Sequence, residues 1–173
     1  MDVSAAEIVP VVQAQLQGVG HHKFRYLATD SRKINFPDST LFIALPMVHR
    51  DGHDFVAEAY RLGVRVFLVS RPLALELPET AILLVPNTLA AMQQLASWHR
   101  HLYTLEVTGI SGSNGKTIVK EWLNELLQPD ENLVRSPKSF NSQIGVPHSV
   151  WMLHENATMG IFEAGISQPG EMT

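Results

Sequence analysis

The chain has 173 residues and no cysteine. That absence excludes disulfides, thiol nucleophiles and thiolate metal sites, and it fits a reducing compartment. No apolar run approaches the roughly 20 residues that a membrane-spanning helix needs. Charge is sparse as well: 17% of residues are charged, the net charge is −4, and no block of one sign occurs. There is therefore no basic surface to propose for nucleic acid and no reason to expect membrane insertion. Met1-Asp2-Val3-Ser4 lacks the basic start and apolar core of a signal peptide, so a cytoplasmic location is expected. His21 and His22 are adjacent, and His99 and His101 are two apart. Neither spacing puts both rings on one helix face, so solvation in a turn and at a helix end is expected rather than metal binding.

What is present is an alternation of strand and helix signals. Ser4 with Glu7 three residues on is a capping box, opening a helix expected to run to Leu16 with Ile8, Val11, Val12 and Leu16 on its apolar side. Phe24 to Thr29, Leu41 to Leu45, Val64 to Val69 and Ala81 to Val85 read as strands. Between them fall a helix with Phe55, Ala59 and Leu62 inward, ended by Gly63, and a helix capped by Asn87 or Thr88 with Leu89, Met92, Leu95, Ala96 and His99 on one side. This is the pattern of an α/β domain with a mostly parallel sheet. Ligands of such sheets bind beyond the strand C-terminal ends. Asp30-Ser31-Arg32 and His49-Arg50-Asp51-Gly52 both stand there, where ligand binding and ordinary loop capping are equally open readings.

The chain is organised around residues 105–117. Leu105 to Ile110 reads as a buried strand, Ser111-Gly112-Ser113-Asn114-Gly115 as a glycine turn, and Lys116-Thr117 as the start of a helix. Val119, Trp122, Leu123, Leu126 and Leu127 give that helix an apolar stripe, expected to face inward. Strand, glycine turn and helix N-terminus together make an anion site, to which lysine adds a full charge and threonine a hydroxyl for magnesium. The usual phosphate-loop pattern asks for glycine where Ile110 stands, so this is a variant loop built on Gly112, Gly115, Lys116 and Thr117. Further on, Pro147 is expected in the first turn of a helix, and Met159 to Phe162 reads as a strand ending at Glu163. A carboxylate at a strand end beside a phosphate loop is where magnesium is held. A domain boundary is expected near residues 100–104, giving domains 1–102 and 103–173. Few parallel strands follow Leu105, so the chain is expected to be the N-terminal part of a longer protein.

Ser111-Gly112-Ser113-Asn114-Gly115-Lys116-Thr117 resembles the ATP-binding loop of the Mur ligases, which also lacks the first glycine. Asp30-Ser31-Arg32, then Arg50-Asp51-Gly52-His53-Asp54-Phe55, then Asn141-Ser142-Gln143-Ile144-Gly145-Val146-Pro147, and Glu163-Ala164-Gly165 leading to Gly170-Glu171 match further motifs of that family in order. Met47, Ile118, Ser142 and Ser167-Gln168 depart from its common pattern. Lys120-Glu121, Ile144 to Pro147 and Gly170-Glu171 are most similar to the members that add D-alanyl-D-alanine.

The resemblance implies an α/β domain that binds the UDP part of a precursor, followed by the start of an ATPase domain. It implies ATP and Mg2+, with Gly112, Ser113, Asn114, Gly115, Lys116 and Thr117 on the nucleotide and Thr117 and Glu163 on the metal. Lys116 and Glu163 would be catalytic. Ser31, Arg32, Val48, His49, Arg50 and Asn141 would contact a UDP-N-acetylmuramoyl-tripeptide, and D-alanyl-D-alanine would be the second substrate. The other readings are a sibling ligase that adds the third stem-peptide residue and a non-catalytic module that binds UDP-linked precursors or nucleotide. Ser-Pro-Lys-Ser with Ser-Gln-Pro-Gly-Glu is also similar to ligases fused to an alanine racemase, which implies such a domain in a longer chain. The residues needed to finish the ligase reaction would lie beyond Thr173, so this chain alone is expected to show little or no ligase activity.

Overall fold

A computed structural model describes residues 1–47 and 50–166 of the chain. The chain folds as two units, Met1–Leu95 and a second that begins at Ala96. Among the described residues no helix is long and apolar enough to cross a membrane.

The first unit opens with a short strand β1 (Val3–Ser4) and helix α1 (Ala5–Val12). The capping box is formed: Ser4 Oγ accepts from the Glu7 N–H at 3.3 Å, and Glu7 Oε2 accepts from the Ser4 N–H at 2.7 Å. The helix stops earlier than the apolar spacing predicts. Gln13 turns into the left-handed region at φ 51°, and Leu16 lies in strand β2 (Gln15–Gly18). Leu16 continues the helical stripe of Ile8 and Val12, but its backbone pairs with β9 at the sheet edge instead, where Leu83 is its partner.

Then come β3 (Lys23–Phe24), β4 (Tyr26–Ala28), β5 (Thr40–Ile43), β6 (Pro46–Met47), β7 (Arg50–Asp51), α2 (Val56–Leu62), β8 (Val66–Val69) and β9 (Ala81–Leu84). The main sheet has the order β2-β9-β8-β5-β4; β4, β5, β8 and β9 pair in parallel and β2 joins the edge antiparallel. All residues of β5 and β8 are buried. Continuous apolar runs of this kind mark parallel strands covered on both faces. Phe42 and Phe67 are register partners whose rings meet edge to face at 6.4 Å, inside a cluster with Ala28, Ala44, Val56, Ala59, Val64 and Val69. Leu62, expected inward, is 48% exposed in the last turn of a helix that Val56 and Ala59 already seat.

Helix α3 (Thr88–His101) starts with Asn87 Oδ1 accepting from the N–H groups of Leu89 and Ala90. The second unit continues with β10 (Glu106–Ile110), α4 (Lys116–Leu127), β11 (Leu133–Arg135), α5 (Gly145–Val150) and β12 (Met159–Glu163). Its sheet is parallel, with β12 between β10 and β11. Two expectations fail here. Strand β10 is an edge of this sheet, so Glu106, Val107 and Gly109 are exposed rather than buried. The apolar stripe of α4 also faces out: Val119, Trp122 and Leu126 are exposed, as is Ile118, and the helix turns Lys120 inward. An amphipathic pattern tells that a helix has two faces but not which one is covered.

His99 is a third correction. It is buried rather than solvated, its ring stacks on Trp151 at 4.3 Å, and its Nε2–H donates to the Leu153 carbonyl at 3.0 Å. Burial holds its pKa below the ordinary 6.5. The folded state then binds fewer protons than the unfolded chain below pH 6.5, so stability is fully present above that pH and is lost as the pH falls. We predict that His99→Phe, which keeps a ring against Trp151, flattens the fall in urea stability between about pH 7 and 5. An unchanged pH slope in the variant would show that His99 does not carry it.

Candidate nucleotide and precursor sites

The second unit brings three of its expected residues together. Parallel register sets Ile110 beside Glu163, so β10 and β12 end level and the glycine turn begins where the carboxylate stands. Gly112 and Gly115 have φ of 146° and 79°. Nothing lies within 4 Å of a Cβ built on Gly115, so the requirement there is conformational, a left-handed cap that other residues resist. Ser113, Asn114 and both glycines are exposed, leaving the turn open to a ligand. Lys116 is the first residue of α4, and its Nζ donates to the Gly112 carbonyl at 2.6 Å, folding over the turn. Thr117 Oγ1 donates to Glu163 Oε2 at 3.1 Å. A hydroxyl and a carboxylate are hard oxygen donors, the set that suits magnesium or calcium rather than a thiolate or imidazole metal.

Glu163 is fully buried, and its Oε1 has no aligned hydrogen bond but lies 2.9 Å from Nζ of Lys120, which is also fully buried. The sequence pattern alone assigns Lys120 no role of its own. The available signal was its place one turn after Lys116 and Thr117, on the same side of the helix. Asn141 is half-buried, and its carbonyl accepts from the Gly165 N–H at 2.7 Å, which seats its segment against the chain leaving β12.

In the first unit the expected residues gather beyond β4 and β5. Asp30 caps a short 3-10 turn, Ser31–Lys33, by accepting from the Arg32 N–H at 3.1 Å. Its carboxylate also takes Arg32 Nε at 2.9 Å and Nη2 at 2.7 Å, with Arg50 Nη2 at 3.7 Å. The Arg32 hydrogen bonds, helped by Arg50, hold the Asp30 carboxyl well below the usual carboxylate range. Arg32 and Arg50 share the Asp30 carboxylate and Glu58 acts on Arg32 as well, so their charges are matched by carboxylates while both guanidiniums stay partly exposed. Arg50 also lies over the Phe55 ring at 4.0 Å. Ser31 is buried and its hydroxyl donates to Glu58 Oε2 of α2 at 2.8 Å. Val48 and His49 lie outside the described residues, as do Ser167-Gln168 and Gly170-Glu171.

Asp51, His53 and Ser70 form an array that the sequence did not suggest. Asp51 Oδ1 is 2.6 Å from His53 Nδ1, and Nε2 accepts from the Ser70 N–H at 3.0 Å. Ser70 Oγ is 3.4 Å from the same nitrogen. The composition is that of an acyl-transfer triad, but the Nε2 lone pair is already used by a backbone donor and cannot take the serine proton. The array is a structural clasp between the loops after β7 and β8. Gly52 belongs to it, since a Cβ there would lie 2.6 Å from the Leu45 nitrogen. We predict that His53→Ala costs about 2–3 kcal/mol in urea unfolding, because it leaves the Ser70 N–H without its acceptor and takes one of several partners from Asp51. Ser70→Ala should change stability by less than about 0.5 kcal/mol. Equal losses would move the clasp from the backbone to the hydroxyl.

Comparison with known proteins agrees with these motifs. Residues 110–173 match the Mur ligase middle domain. A UDP-N-acetylmuramoyl-tripeptide–D-alanyl-D-alanine ligase of Bacillus subtilis is 36% identical over 146 residues, covering 84% of this chain and 32% of the relative. The Escherichia coli protein of the same name is 32% identical over 172 residues, covering 99% of this chain and 37% of its own length. The chain thus spans about a third of the curated relatives it matches. Among solved structures, a D-alanyl-D-alanyl ligase of Acinetobacter baumannii aligns with TM-score 0.89 at 27% identity, over 99% of this chain and 38% of that one. MurF of Thermotoga maritima, solved in complex with ADP, aligns with TM-score 0.73 at 27% identity, over 86% of this chain and 34% of that one.

Proposed function

Since this chain belongs to the Mur ligase family, we propose that it supplies the precursor-binding domain and the opening of the ATPase domain of a cytoplasmic UDP-N-acetylmuramoyl-tripeptide–D-alanyl-D-alanine ligase. The observation that carries this reading is the 3.1 Å approach of Thr117 to Glu163 behind the glycine turn. The two residues are 46 apart in sequence, and parallel pairing delivers both to the mouth of one phosphate loop. The names of the relatives support the substrates, and the ADP in the Thermotoga structure supports the nucleotide.

In this reading residues 1–102 hold the UDP-linked tripeptide and residues 103–173 begin the ATP site. The reaction transfers the γ-phosphoryl group of ATP to the terminal carboxylate of the tripeptide, giving an acyl phosphate and ADP. The amine of D-alanyl-D-alanine then attacks the acyl carbon and phosphate leaves, with one proton released from the amine. The protein's part is placement and charge. The N–H groups from Gly112 to Lys116 converge on the phosphates, and Lys116 exchanges its contact with the Gly112 carbonyl for a phosphoryl oxygen. Thr117 and Glu163 would hold Mg2+, which supplies neutralisation of the phosphate charge. Arg32 and Arg50 offer guanidiniums to the diphosphate of the precursor, with Ser31, Val48 and His49 in the same loops. Asn141 serves the muramoyl side. The D-alanyl-D-alanine site belongs to the part of the relatives that this chain does not span.

Two measurements test this. In a ligase carrying this chain, Lys116→Ala lowers kcat by roughly 10²–10³-fold, the loss usual for one preorganised charge-stabilising donor; turnover near that of the parent would sink the assignment. In calorimetry, the chain binds UDP-N-acetylmuramoyl-tripeptide more tightly than the dipeptide form. Preference for the dipeptide form would move the assignment to a ligase that adds the third stem-peptide residue.

A further inference from the structure

Lys120 is a fully buried cation whose ammonium is taken up by oxygens of the protein itself. An ammonium has three donors and no acceptor. Here the ammonium donates to the Ser136 carbonyl at 2.8 Å and to the Lys138 carbonyl, and its charge lies 2.9 Å from Glu163 Oε1. Glu121 Oε1 is also within 3.2 Å, but it is shared with Arg135 Nη1 at 2.8 Å. The same segment is tied to Glu163 a second time: Ser136 Oγ accepts from the Glu163 N–H at 3.0 Å. Lys138 holds a left-handed φ of 49°, uncommon for a residue with a side chain, while its carbonyl accepts from Lys120.

A buried ion pair is poor evidence for stability, because apolar residues of similar volume often do as well. Its geometry is more informative. The two carboxylate oxygens of Glu163 have different partners, Oε1 the ammonium and Oε2 the Thr117 hydroxyl. We infer that Lys120 is a positioning residue of the ligase: it clamps Oε1 of Glu163 against the 136–138 segment, so that Oε2 alone is presented beside Thr117 to the metal of the nucleotide. This rests on the ligase reading given above and adds a partner that orients a metal ligand from behind. Such partners fix ligand orientation in metal sites, and their loss typically lowers metal affinity about 10–100-fold.

The test measures metal binding rather than turnover. The probe is Mn2+, titrated by electron paramagnetic resonance into the full-length ligase with a non-hydrolysable ATP analogue. Lys120→Met removes the ammonium, and Lys120→Gln keeps amide donors for the carbonyls but no charge. Both variants should weaken Mn2+ binding by about 10–100-fold while metal-free binding of the analogue is retained. Amide hydrogen exchange across 136–141 should quicken in Lys120→Met and stay slow in Lys120→Gln. If Lys120→Met does not fold, Lys120→Gln decides alone. Parental Mn2+ affinity in Lys120→Gln would overturn the inference and leave Lys120 as a purely structural staple, with the ligase reading intact. A parent ligase that holds no Mn2+ with the analogue would overturn both.

Discussion

A carboxylate shut away from water must be met by charge or by hydrogen bonds, and Glu163 is met by both. The strand that carries it, β12, lies between β10 and β11, so the residue cannot retreat to solvent without opening the sheet. Its two oxygens are divided between Lys120 and Thr117, both from the helix that begins at the glycine turn. Strand, turn and helix are therefore held at a fixed mutual setting by one side chain. The glycine turn has the shape of a candidate anion site, and in the proposed reading Glu163 sets where a cation would stand beside it.

The same logic of parallel strands operates in each unit. Parallel pairing brings the C-terminal ends of the strands to one side of the sheet, so the polar residues of the loops that follow them collect there. In the first unit the result is Asp30 with two arginines, which the carboxylate holds in a restrained geometry. In the second it is a glycine turn with Lys116, Thr117 and Glu163. One architectural rule gathers polar residues at two candidate loci for phosphate-bearing groups, and the residue types placed at each differ. Guanidiniums offer forked donors to a diphosphate, whereas a lysine, backbone N–H groups and a metal pair suit a group in transfer.

Local chemistry was the legible part of the sequence. Ser4 and Glu7 announced a cap because both partners lie within one turn. The strand, glycine turn and helix at Glu106 to Leu127 were legible for the same reason, as was Glu163 at a strand end. What escaped depends on partners distant in sequence. Leu16 joined a helix on paper because its antiparallel partner, Leu83, could not be seen. His99 read as solvated because nothing nearby in sequence revealed Trp151 and Leu153. The clasp of Asp51, His53 and Ser70 likewise needs a residue from the end of another strand. Lys120 entered only as part of a motif, and only the folded chain shows the four oxygens around it.

The outward face of α4 has a consequence for synthesis. Ile118, Val119, Trp122 and Leu126 lie on the helix that carries Lys116 and Thr117, and all four are exposed. The ribosome delivers this helix before β12, the strand on which it packs. For that interval the nucleotide loop rides on a free hydrophobic surface, for which self-association and chaperones compete. The helix that carries the candidate phosphate loop is thus also open to trapping while the protein is being made.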